Sequence, residues 1–511
     1  MSGCLGTLLM AHSILLCHTA RILFVPAHDG ASHTKSMYRA AEALRSAGHE
    51  VHMLQLIDDP KQECHNKAGV IDRVIRNKHE DTDSSQEKLS DLAKILWTRQ
   101  VTSPFGMLFP WKATTNVCVG ILSQDSTRKA FYEIVNEPWD VVFVDNFVAA
   151  CGLIAVKEVW SDRGVVAVDF STTILLPNSL KHRGAVVPMA TMASFRQPFY
   201  DPSNFYYRLW NTVDMFQFSM AEMILNYLFP FWGVPQINSN ILAQNSLFAV
   251  SSVTTGLDFT QSTTFDTFSL DLACPNDTFL PEQLRTFMED PTSRGTVLFA
   301  MGHYADWTYA PSGAIPAFMD AFAKLSQYRI IWQFASKSVR PENIPSHVLL
   351  QSWVPQAAIL SHPSTKLFIS HMGLKSMRET ICSRVPAVSM PMFAEQYRNT
   401  AISRYRGFGD YLDKMNLSAT LVHETIKRVL DDGRYGMAAR RLQDQLSDRI
   451  RNPLDLLTSQ LNFFLQHKNE RRLRDHVSPM GSSMSVLVTD WIVDMTALFM
   501  GLLAVFYTLV L

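Results

Sequence analysis

Apolar strands that alternate with helices run through two successive halves of this chain, and this pattern constrains the fold more than any other feature. In the first half, strands are predicted at residues 21–25, 51–56, 140–144 and 165–168, with a helix at 34–47. In the second half they are predicted at residues 296–300, 329–332, 366–370 and 387–389. Strands that alternate with helices form parallel sheets covered on both faces, so we expect an α/β protein.

The two halves are long enough to form separate domains, since the chain has 511 residues. The boundary is predicted between Ser269 and Glu282, where the sequence DLACPNDTFLPE contains two prolines and a glycosylation sequon. The expected domains cover residues 21–270 and 283–465. A formal net charge of -1 without a basic stripe argues against nucleic acid as the main partner.

Both ends of the chain are apolar. Residues 5–16 predict a signal peptide over residues 1–20. The apolar residues 495–511, extended back to residue 486, predict a single-pass membrane anchor. A buried C-terminal helix and a cleaved lipid-anchor signal are the alternatives. If the chain enters the secretory pathway, the sequons at Asn276 and Asn416 are glycosylation sites.

Three other sequence features give coarser expectations. The seven cysteines show no CxxC spacing, so neither a zinc site nor a disulfide framework is predicted. Residues 195–245 are rich in aromatic side chains and fit either helical core packing, the wall of an apolar acceptor pocket or a surface that faces a membrane. A helix is expected at residues 453–474.

The first strand–helix loop, PAHDGASH, is unsuited to a dinucleotide because Gly30 is its only glycine. His33 directly precedes the predicted helix, whose dipole would keep the imidazole neutral, as a general base requires. Asp145 follows the strand at 140–144 and reaches the same sheet edge, where it would orient His33 and stabilise its charge. A surface histidine and a helix-capping aspartate are the alternatives for the two residues taken singly.

Residues 353–396 contain the groups that a nucleotide-activated sugar requires. Trp353 presents a flat face to a pyrimidine, and Gln356 can bind the edge of the base or the ribose. His371 leads into a loop with Gly373 that starts a helix, and the free N–H groups of this loop suit a diphosphate.

Three further residues complete this predicted donor site. Glu379 is expected to accept hydrogen bonds from the ribose hydroxyls. Glu395 and Gln396 end a later loop and suit the hydroxyls of the sugar. Each residue of the stretch has an ordinary structural alternative, but their ordered combination favours a donor site.

The order W-x-P-Q, H-x-G-x-x-S-x-x-E and E-Q resembles the UDP-glycosyltransferases, specifically the animal membrane-anchored UDP-glucuronosyltransferase type. The resemblance implies a GT-B fold, with two Rossmann-like domains facing a cleft and a C-terminal transmembrane helix. The first domain would bind the acceptor and the second the donor. His33 would be the catalytic base and Asp145 its partner. The residues implied to hold the UDP-sugar are Trp353, Gln356, His371, Gly373, Ser376, Glu379, Glu395 and Gln396.

Four residues depart from the family pattern. Met372 and Lys375 stand where glycine and asparagine are usual, Glu395 replaces the commoner aspartate, and His303 replaces serine. We expect the Met372 side chain to turn away from the phosphates while its N–H stays available. Lys375 would supply a point charge beside the diphosphate in place of a directed amide contact. His303 would still offer a hydrogen bond there.

The sequence therefore predicts an active enzyme that transfers glucuronate or glucose from a UDP-sugar to a hydroxyl of a small lipophilic acceptor, with inversion. The UDP-sugar is a co-substrate, and neither a metal nor another cofactor is expected. The predicted location is the endoplasmic reticulum membrane, with a single span and lumenal catalytic domains. The oligomeric state stays open. The alternative function is a UDP-sugar or lipophile binding protein that has lost turnover.

Overall fold

A computed structural model describes the part of the chain on which the following account rests. The described residues are 19–27, 31–57, 69–77, 93–98, 104–147, 150–160, 165–183, 185, 197–253, 256–259, 264, 266–270, 274, 279–302, 305–336, 338–448 and 452–467. The predicted signal peptide and anchor, Asn276 and His303 lie outside these residues. Within the described residues, we find no helix with the length and apolar character needed to cross a membrane.

Two parallel sheets form the centre of the structure. The strands of the first are β1 (Arg21–Val25), β2 (Glu50–Ile57), β3 (Ile71–Arg76), β4 (Val141–Asp145), β5 (Val166–Ser171), β6 (Ser246–Ser251) and β7 (Thr267–Ser269). Those of the second are β8 (Thr296–Ala300), β9 (Arg329–Gln333), β10 (Val348–Gln351), β11 (Thr365–Ser370), β12 (Ala387–Ser389) and β13 (Gly409–Tyr411).

The strand orders are those of two Rossmann-like units. The first sheet runs β3-β2-β1-β4-β5-β6-β7 and the second β10-β9-β8-β11-β12-β13. The order reverses between β1 and β4 in one sheet and between β8 and β11 in the other. Ligands bind at such reversals, beyond the carboxyl ends of the strands. The predicted α/β class and the two Rossmann-like sheets are confirmed.

Helices cover both faces of the sheets. In the first half they are α1 (Ala31–Ser46), α2 (Leu108–Ser123), α3 (Asp125–Val135), α4 (Ala150–Trp160), α5 (Pro177–Lys181), α6 (Phe205–Phe231) and α7 (Ile241–Asn245). After the first sheet follow α8 (Glu282–Met288), α9 (Ala314–Ala323), α10 (Gln356–Ser361), α11 (Leu374–Cys382), α12 (Glu395–Tyr405), α13 (Ala419–Asp431), α14 (Gly433–Ser447) and α15 (Pro453–His467).

The last described helix, α15, returns to the first sheet. Leu457, Leu461 and Phe464 are buried in the core that contains Phe24 and Phe248, and the rings of Phe248 and Phe464 stack with centroids 5.1 Å apart. The expected second domain included residues 453–465, yet their apolar face packs on the first half. Sequence order therefore does not define which core this helix completes.

A short helix at residues 93–98 joins the halves in the opposite direction. Leu96 and Trp97 are buried in the core of the second sheet, where the ring centroid of Trp97 lies 4.8 Å from that of Trp307. The indole Nε1 of Trp97 donates to the Asp306 carbonyl at 2.9 Å. The buried ammonium of Lys414 donates to the carbonyls of Leu96 and Met392. The two halves thus share core residues.

Disulfides contradict the expectation from cysteine spacing. Cys118–Cys151 joins α2 to α4, and Cys274–Cys382 joins the connection between the sheets to the end of α11. The partners are 33 and 108 residues apart, so only the fold brings them together. The prediction that no disulfide framework exists was wrong for this reason.

The aromatic segment divides into two faces on α6. Its inner face is core, with Met215, Phe218, Leu225 and Phe229 buried. Its outer face exposes Phe205, Tyr206, Trp210, Tyr227 and Phe231. Core packing is confirmed for the inner face. A role in acceptor or membrane binding stays a prediction for the outer face.

Candidate active site

The carboxyl edge of the first sheet carries a histidine–carboxylate pair. His33 lies in the first turn of α1, which follows β1, and Asp145 ends β4. The predicted helix began at Thr34, but the helix begins at Ala31, so His33 is inside it. Since β1 and β4 are neighbours, their ends bring the two side chains together.

The contact between His33 and Asp145 is direct. His33 Nδ1 lies 2.8 Å from Asp145 Oδ2, and the carboxylate is fully buried. Backbone N–H groups of Ala27 and Phe147 also donate to this carboxylate, at 3.4 and 3.1 Å. A carboxylate only accepts hydrogen bonds, so Nδ1 carries the proton and Nε2 is left as the basic nitrogen.

Thr172 is a third member of this group that the sequence analysis missed. It follows β5, the next strand along the sheet, and its hydroxyl donates to Asp145 Oδ2 at 2.9 Å. The hydroxyl oxygen of Thr172 lies 2.5 Å from His33 Nδ1. The strand was predicted to end at residue 168, whereas β5 ends at Ser171, so the sequence did not reveal that this hydroxyl directly follows a strand.

The electrostatics of His33 differ from the prediction. Burial lowers the pKa of His33, but the charge and hydrogen bond of Asp145, aided by the charge of Glu395, outweigh burial and raise that pKa above its ordinary value. The helix dipole had predicted the opposite direction. A carboxylate at 2.8 Å has a larger effect on an imidazolium than the partial charge of a helix end.

Glu395 approaches His33 from the second half of the chain. It is the first residue of α12, and the preceding Ala394 is buried in the first-sheet core, against which Phe147 also packs. Burial raises the pKa of the Glu395 carboxyl, while its own N–H and the charges of His33 and Arg398 oppose this. The structure therefore places a carboxyl of the second half within electrostatic reach of His33.

Gln396 stabilises the turn before α12, a role that the sequence did not reveal. Its Oε1 accepts hydrogen bonds from the N–H groups of Met392 and Phe393, at 2.8 and 3.2 Å. Glu395 and Gln396 begin α12, whereas the sequence placed them at the end of a loop. The amide oxygen thus holds the turn that carries Glu395.

The second sheet presents His371 at its own reversal point. The His371 ring lies against two glycines, because a Cβ built on Gly302 or Gly373 would approach ring atoms to 2.8 Å. Burial lowers the pKa of His371 to about 4, and the Ala300 carbonyl opposes this without overcoming it. His371 is therefore a neutral imidazole that can donate one hydrogen bond.

Met372 adopts a conformation that explains why glycine is usual at this position. Its φ is 59°, in the left-handed region, and its side chain is buried beside Leu374 and Met377. Its N–H donates to Ser370 Oγ at 3.0 Å. The side chain turns into the core as predicted, but the prediction that its N–H stays available was wrong, because the preceding strand supplies an acceptor.

The amino end of α11 lies directly after this loop. Gly373 is the N-cap residue, and in the described structure no side-chain cap closes this end. Ser376 is buried, and its hydroxyl accepts from Gln356 Nε2 at 3.3 Å. An uncapped helix start of this kind binds anions through its N–H groups and its dipole.

Glu379 is the centre of a small polar network. It lies in the second turn of α11, and its side chain is buried. Gln356 Nε2 donates to Glu379 Oε2, and Lys375 Nζ lies 4.0 Å from Oε1. Burial lowers the pKa of the half-exposed Lys375, and Glu379 opposes this. The lysine charge is therefore paired with Glu379.

Trp353 is 70% exposed, so it is not a residue of the hydrophobic core. It directly precedes the loop into α10, whose first residue is Gln356. An exposed indole beside an amide can stack with a base. In the described residues we also find no group of three or more histidine, cysteine, aspartate or glutamate side chains placed to hold a metal ion.

Comparison with known proteins identifies the family. The family model described as UDP-glucoronosyl and UDP-glucosyl transferase matches residues 20–481. The chain belongs to this family. It is 25% identical over 469 residues to UDP-glucuronosyltransferase 1A10 of Homo sapiens, covering 89% of this chain and 84% of that protein. It is 32% identical over 195 residues to UDP-glycosyltransferase UGT5 of Dactylopius coccus, covering 38% of this chain and 36% of that protein.

The fold is also found among solved glycosyltransferases. The glycotransferase of kitacinnamycin superposes with a TM-score of 0.57 at 14% identity, over 88% of this chain and 99% of that chain. This likeness shows the GT-B fold, with two Rossmann-like parallel sheets. The predicted family, the GT-B fold with its two Rossmann-like sheets and the enzyme class are therefore confirmed, and this member of the family is a glycosyltransferase. The predicted transmembrane helix stays a prediction.

In this glycosyltransferase, the predicted residues form two groups, one on each half of the chain. One group is the pair His33 and Asp145 with Thr172. The other surrounds the start of α11 and includes Gln356, His371 and Glu379. Glu395, from the second half, interacts electrostatically with His33. Of the predicted site residues, Asn416 is exposed and lies away from both groups, next to the N-cap Ser418 of α13.

Proposed function

We propose that this glycosyltransferase transfers glucuronate or glucose from a UDP-sugar to a hydroxyl of a small lipophilic acceptor, with inversion. The contact between His33 and Asp145 carries this proposal. A paired histidine on one half, opposite an uncapped helix start on the other, provides a base for the acceptor and a site for an anionic leaving group.

The proposed chemistry takes place in one displacement. Nε2 of His33 removes the acceptor proton while the acceptor oxygen bonds to the anomeric carbon. The bond from that carbon to the diphosphate oxygen breaks, and its electron pair leaves with UDP. The buried Asp145 carboxylate stabilises the imidazolium that forms. Attack on the side opposite the leaving group inverts the anomeric centre.

The leaving UDP would be stabilised by protein donors. The N–H groups at the start of α11 carry a positive partial charge, and neutral His371 adds one hydrogen bond if its N–H turns from the Ala300 carbonyl to the diphosphate. Lys375 adds a charge if it turns from Glu379 towards the diphosphate. Met372 contributes no N–H, since Ser370 already accepts it.

The uridine would occupy the surface between Trp353 and Glu379. The exposed indole would stack on the base. Glu379 accepts from Gln356 in the structure, so the ribose hydroxyls would replace or extend that contact. Glu395 and Gln396 would contact the sugar, with Gln396 using the amide nitrogen because its oxygen holds the turn.

The proposed location is the endoplasmic reticulum membrane, with the catalytic domains in the lumen. Both disulfides suit an oxidising compartment, and the sequon at Asn416 is exposed. The predicted anchor and the exposed aromatic face of α6 favour acceptors that partition into lipid. Endoglycosidase digestion should shift the mobility of the parent protein more than that of Asn416→Gln.

The decisive experiment compares His33→Ala with His423→Ala, a histidine on α13 far from the pair in sequence. Full-length protein is mixed with a phenolic acceptor and either UDP-glucose or UDP-glucuronate, and released UDP is measured. We expect His33→Ala to lose about 10²–10⁴-fold in rate, because general-base assistance is removed, and to retain UDP binding. His423→Ala should match the parent.

The two donors also separate the sugar classes, since the donor that supports faster release is the substrate. Transfer by His33→Ala near the parent rate would show that another group is the base. Binding of UDP without release by the parent protein would favour the alternative of a binding protein.

A further inference from the structure

One buried lysine joins the two halves of the chain close to the turn that carries Glu395. Lys414 lies between β13 and α13 and is 2% exposed. Its ammonium donates to the carbonyl of Leu96 and, at 2.6 Å, to the carbonyl of Met392. Leu96 belongs to the first half and Met392 to the second. The lysine therefore ties a backbone group of one half to a backbone group of the other.

The proposed displacement gives Lys414 no part, so its burial calls for another explanation. Burial of an ammonium costs free energy unless its N–H groups find acceptors. Burial lowers the pKa of Lys414 to about 8, against the opposing charge of Asp413, so the side chain is protonated at neutral pH. An apolar side chain would fill the same space without this cost, whereas charged, directed hydrogen bonds fix the position of their acceptors. The ammonium therefore restrains the two carbonyls that accept from it.

The turn from Met392 to Glu395 makes contacts with both halves of the chain. Gln396 Oε1 accepts from the N–H groups of Met392 and Phe393, at 2.8 and 3.2 Å. Phe393 packs against the cores of both sheets, and Ala394, with φ 51°, is buried in the core of the first. The ammonium holds the remaining polar group of the turn's first residue, the Met392 carbonyl. The position of Glu395 thus depends on contacts from both halves.

The other acceptor of Lys414 lies on a segment that is fixed independently of this turn. Trp97 is fully buried, with its ring centroid 4.8 Å from that of Trp307. Its indole N–H donates to the Asp306 carbonyl at 2.9 Å. These contacts anchor the short helix that contains Leu96 in the core of the second sheet. The Leu96 carbonyl is therefore a fixed point from which the ammonium positions the turn.

We propose that Lys414 is a positioning residue for Glu395 and thereby fixes where the donor sugar lies. The inference rests on the proposed UDP-sugar donor, whose sugar would contact Glu395 and Gln396. Without the ammonium, the Met392 carbonyl loses its donor, and the turn loses its tie to the first half. The sugar hydroxyls would then meet a displaced carboxylate. The proposed uridine and diphosphate contacts, at Trp353 and at the start of α11, belong to other elements and would stay in place.

The test compares full-length parent protein with Lys414→Met, which removes the donor and keeps an unbranched side chain. UDP, UDP-glucose and UDP-glucuronate are titrated calorimetrically without acceptor, and kcat is then measured with a phenolic acceptor. We expect unchanged affinity for UDP. Affinity for the UDP-sugar should fall about 10-fold, as loss of roughly one hydrogen bond to a charged group does. The value of kcat should fall about 10- to 100-fold, because the sugar no longer meets His33 in the reactive geometry.

Two control variants separate positioning from stability. Lys427→Met makes the same change at an exposed lysine of α13 and should match the parent in every measurement. Leu461→Ala removes a buried side chain of α15 from a core cluster that contains no residue of the turn. It should lower the melting temperature and leave the ratio of UDP to UDP-sugar affinity unchanged. Lys414→Arg, which keeps a cationic donor, should retain more UDP-sugar affinity than Lys414→Met.

Three results would overturn the inference: parent values of UDP-sugar affinity and kcat in Lys414→Met, an equal loss of affinity for UDP, or the same selective loss in Leu461→Ala. If Lys414→Met does not fold, Lys414→Gln repeats the comparison with a shorter, neutral side chain, and a parent-like affinity ratio there also overturns it. A parent protein that binds UDP-sugars but transfers no sugar would reject the proposed function. A selective loss of UDP-sugar affinity in Lys414→Met would still support the inference in that case.

Discussion

Single residues in unusual backbone conformations shape both loops of the donor side. Met372 has φ 59° and Ala394 has φ 51°, and neither is glycine. A left-handed conformation costs an L-residue about 1–2 kcal/mol. Met372 offsets this cost by burying its side chain, and its carbonyl accepts from Asn399 Nδ2 at 3.0 Å. The departure from glycine thus stabilises the fold without placing a new group on the phosphates.

The titration of His33 leads to a pH prediction. Transfer requires the neutral imidazole, and the pKa of His33 is raised above 6.5 by the charge and hydrogen bond of Asp145, which outweigh burial. The value of kcat/KM should therefore fall as the pH is lowered, and the midpoint of this fall should lie above pH 6.5. In Asp145→Asn the remaining activity should show its midpoint at lower pH, because the charge that stabilised the imidazolium is gone.

Thr172→Ser keeps the hydroxyl beside Asp145 and serves as the control for this profile. A midpoint that does not move in Asp145→Asn would show that Asp145 does not set the titration of His33.

At the scale of elements, the starts of helices and the ends of strands position the functional groups. Glycine at the start of α11 leaves space for the ring of His371. Gly373 caps α11 with φ -59°, so alanine is compatible with its backbone. The Cβ of an alanine at this position would nevertheless lie 2.8 Å from His371 Nε2. We expect Gly373→Ala to displace the imidazole and raise the KM for the UDP-sugar about tenfold, the loss of roughly one hydrogen bond to a charged group.

The matched control is Gly313→Ala, because Gly313 caps α9 and a Cβ there meets nothing within 4 Å. Steady-state kinetics at several donor concentrations separate the two variants. Equal KM values would mean that the ring of His371 does not contribute to donor binding.

The strands themselves were predicted unequally. Three buried strands, β1, β8 and β12, were predicted with the correct limits, since a continuous apolar run identifies them. The internal strand β6 and the edge strands β3, β7, β10 and β13 were missed. Polar and apolar residues mix in IDRVIR, and GDY has only three residues, so neither contains a periodic signal.

At the scale of the whole molecule, a buried ion pair fixes the halves relative to each other. Arg398 on α12 donates through Nη2 to both carboxylate oxygens of Asp258, which precedes β7 in the first half. Arg406 donates to the carbonyls of Leu257 and Asp258 at 3.0 and 2.9 Å. These contacts hold the helix that begins with Glu395.

Asp258→Asn should lower the free energy of unfolding by about 3–5 kcal/mol, because it leaves a buried guanidinium without its carboxylate. Denaturant unfolding measures this loss. Glu133→Gln is the control, since its exposed pair with Lys129 contributes under about 1 kcal/mol. A similar small change for both variants would show that the ion pair between the halves does not stabilise the fold.

The sequence by itself determined the fold class, the family and the order of the donor residues, because apolar runs and short motifs are local along the chain. It also predicted the contact of His33 with Asp145, since parallel strands end at one sheet edge. Only the tertiary structure decided the disulfide partners, the packing of α15 on the first sheet and the raised pKa of His33. Each of these depends on distances between segments far apart in sequence, which no local pattern contains.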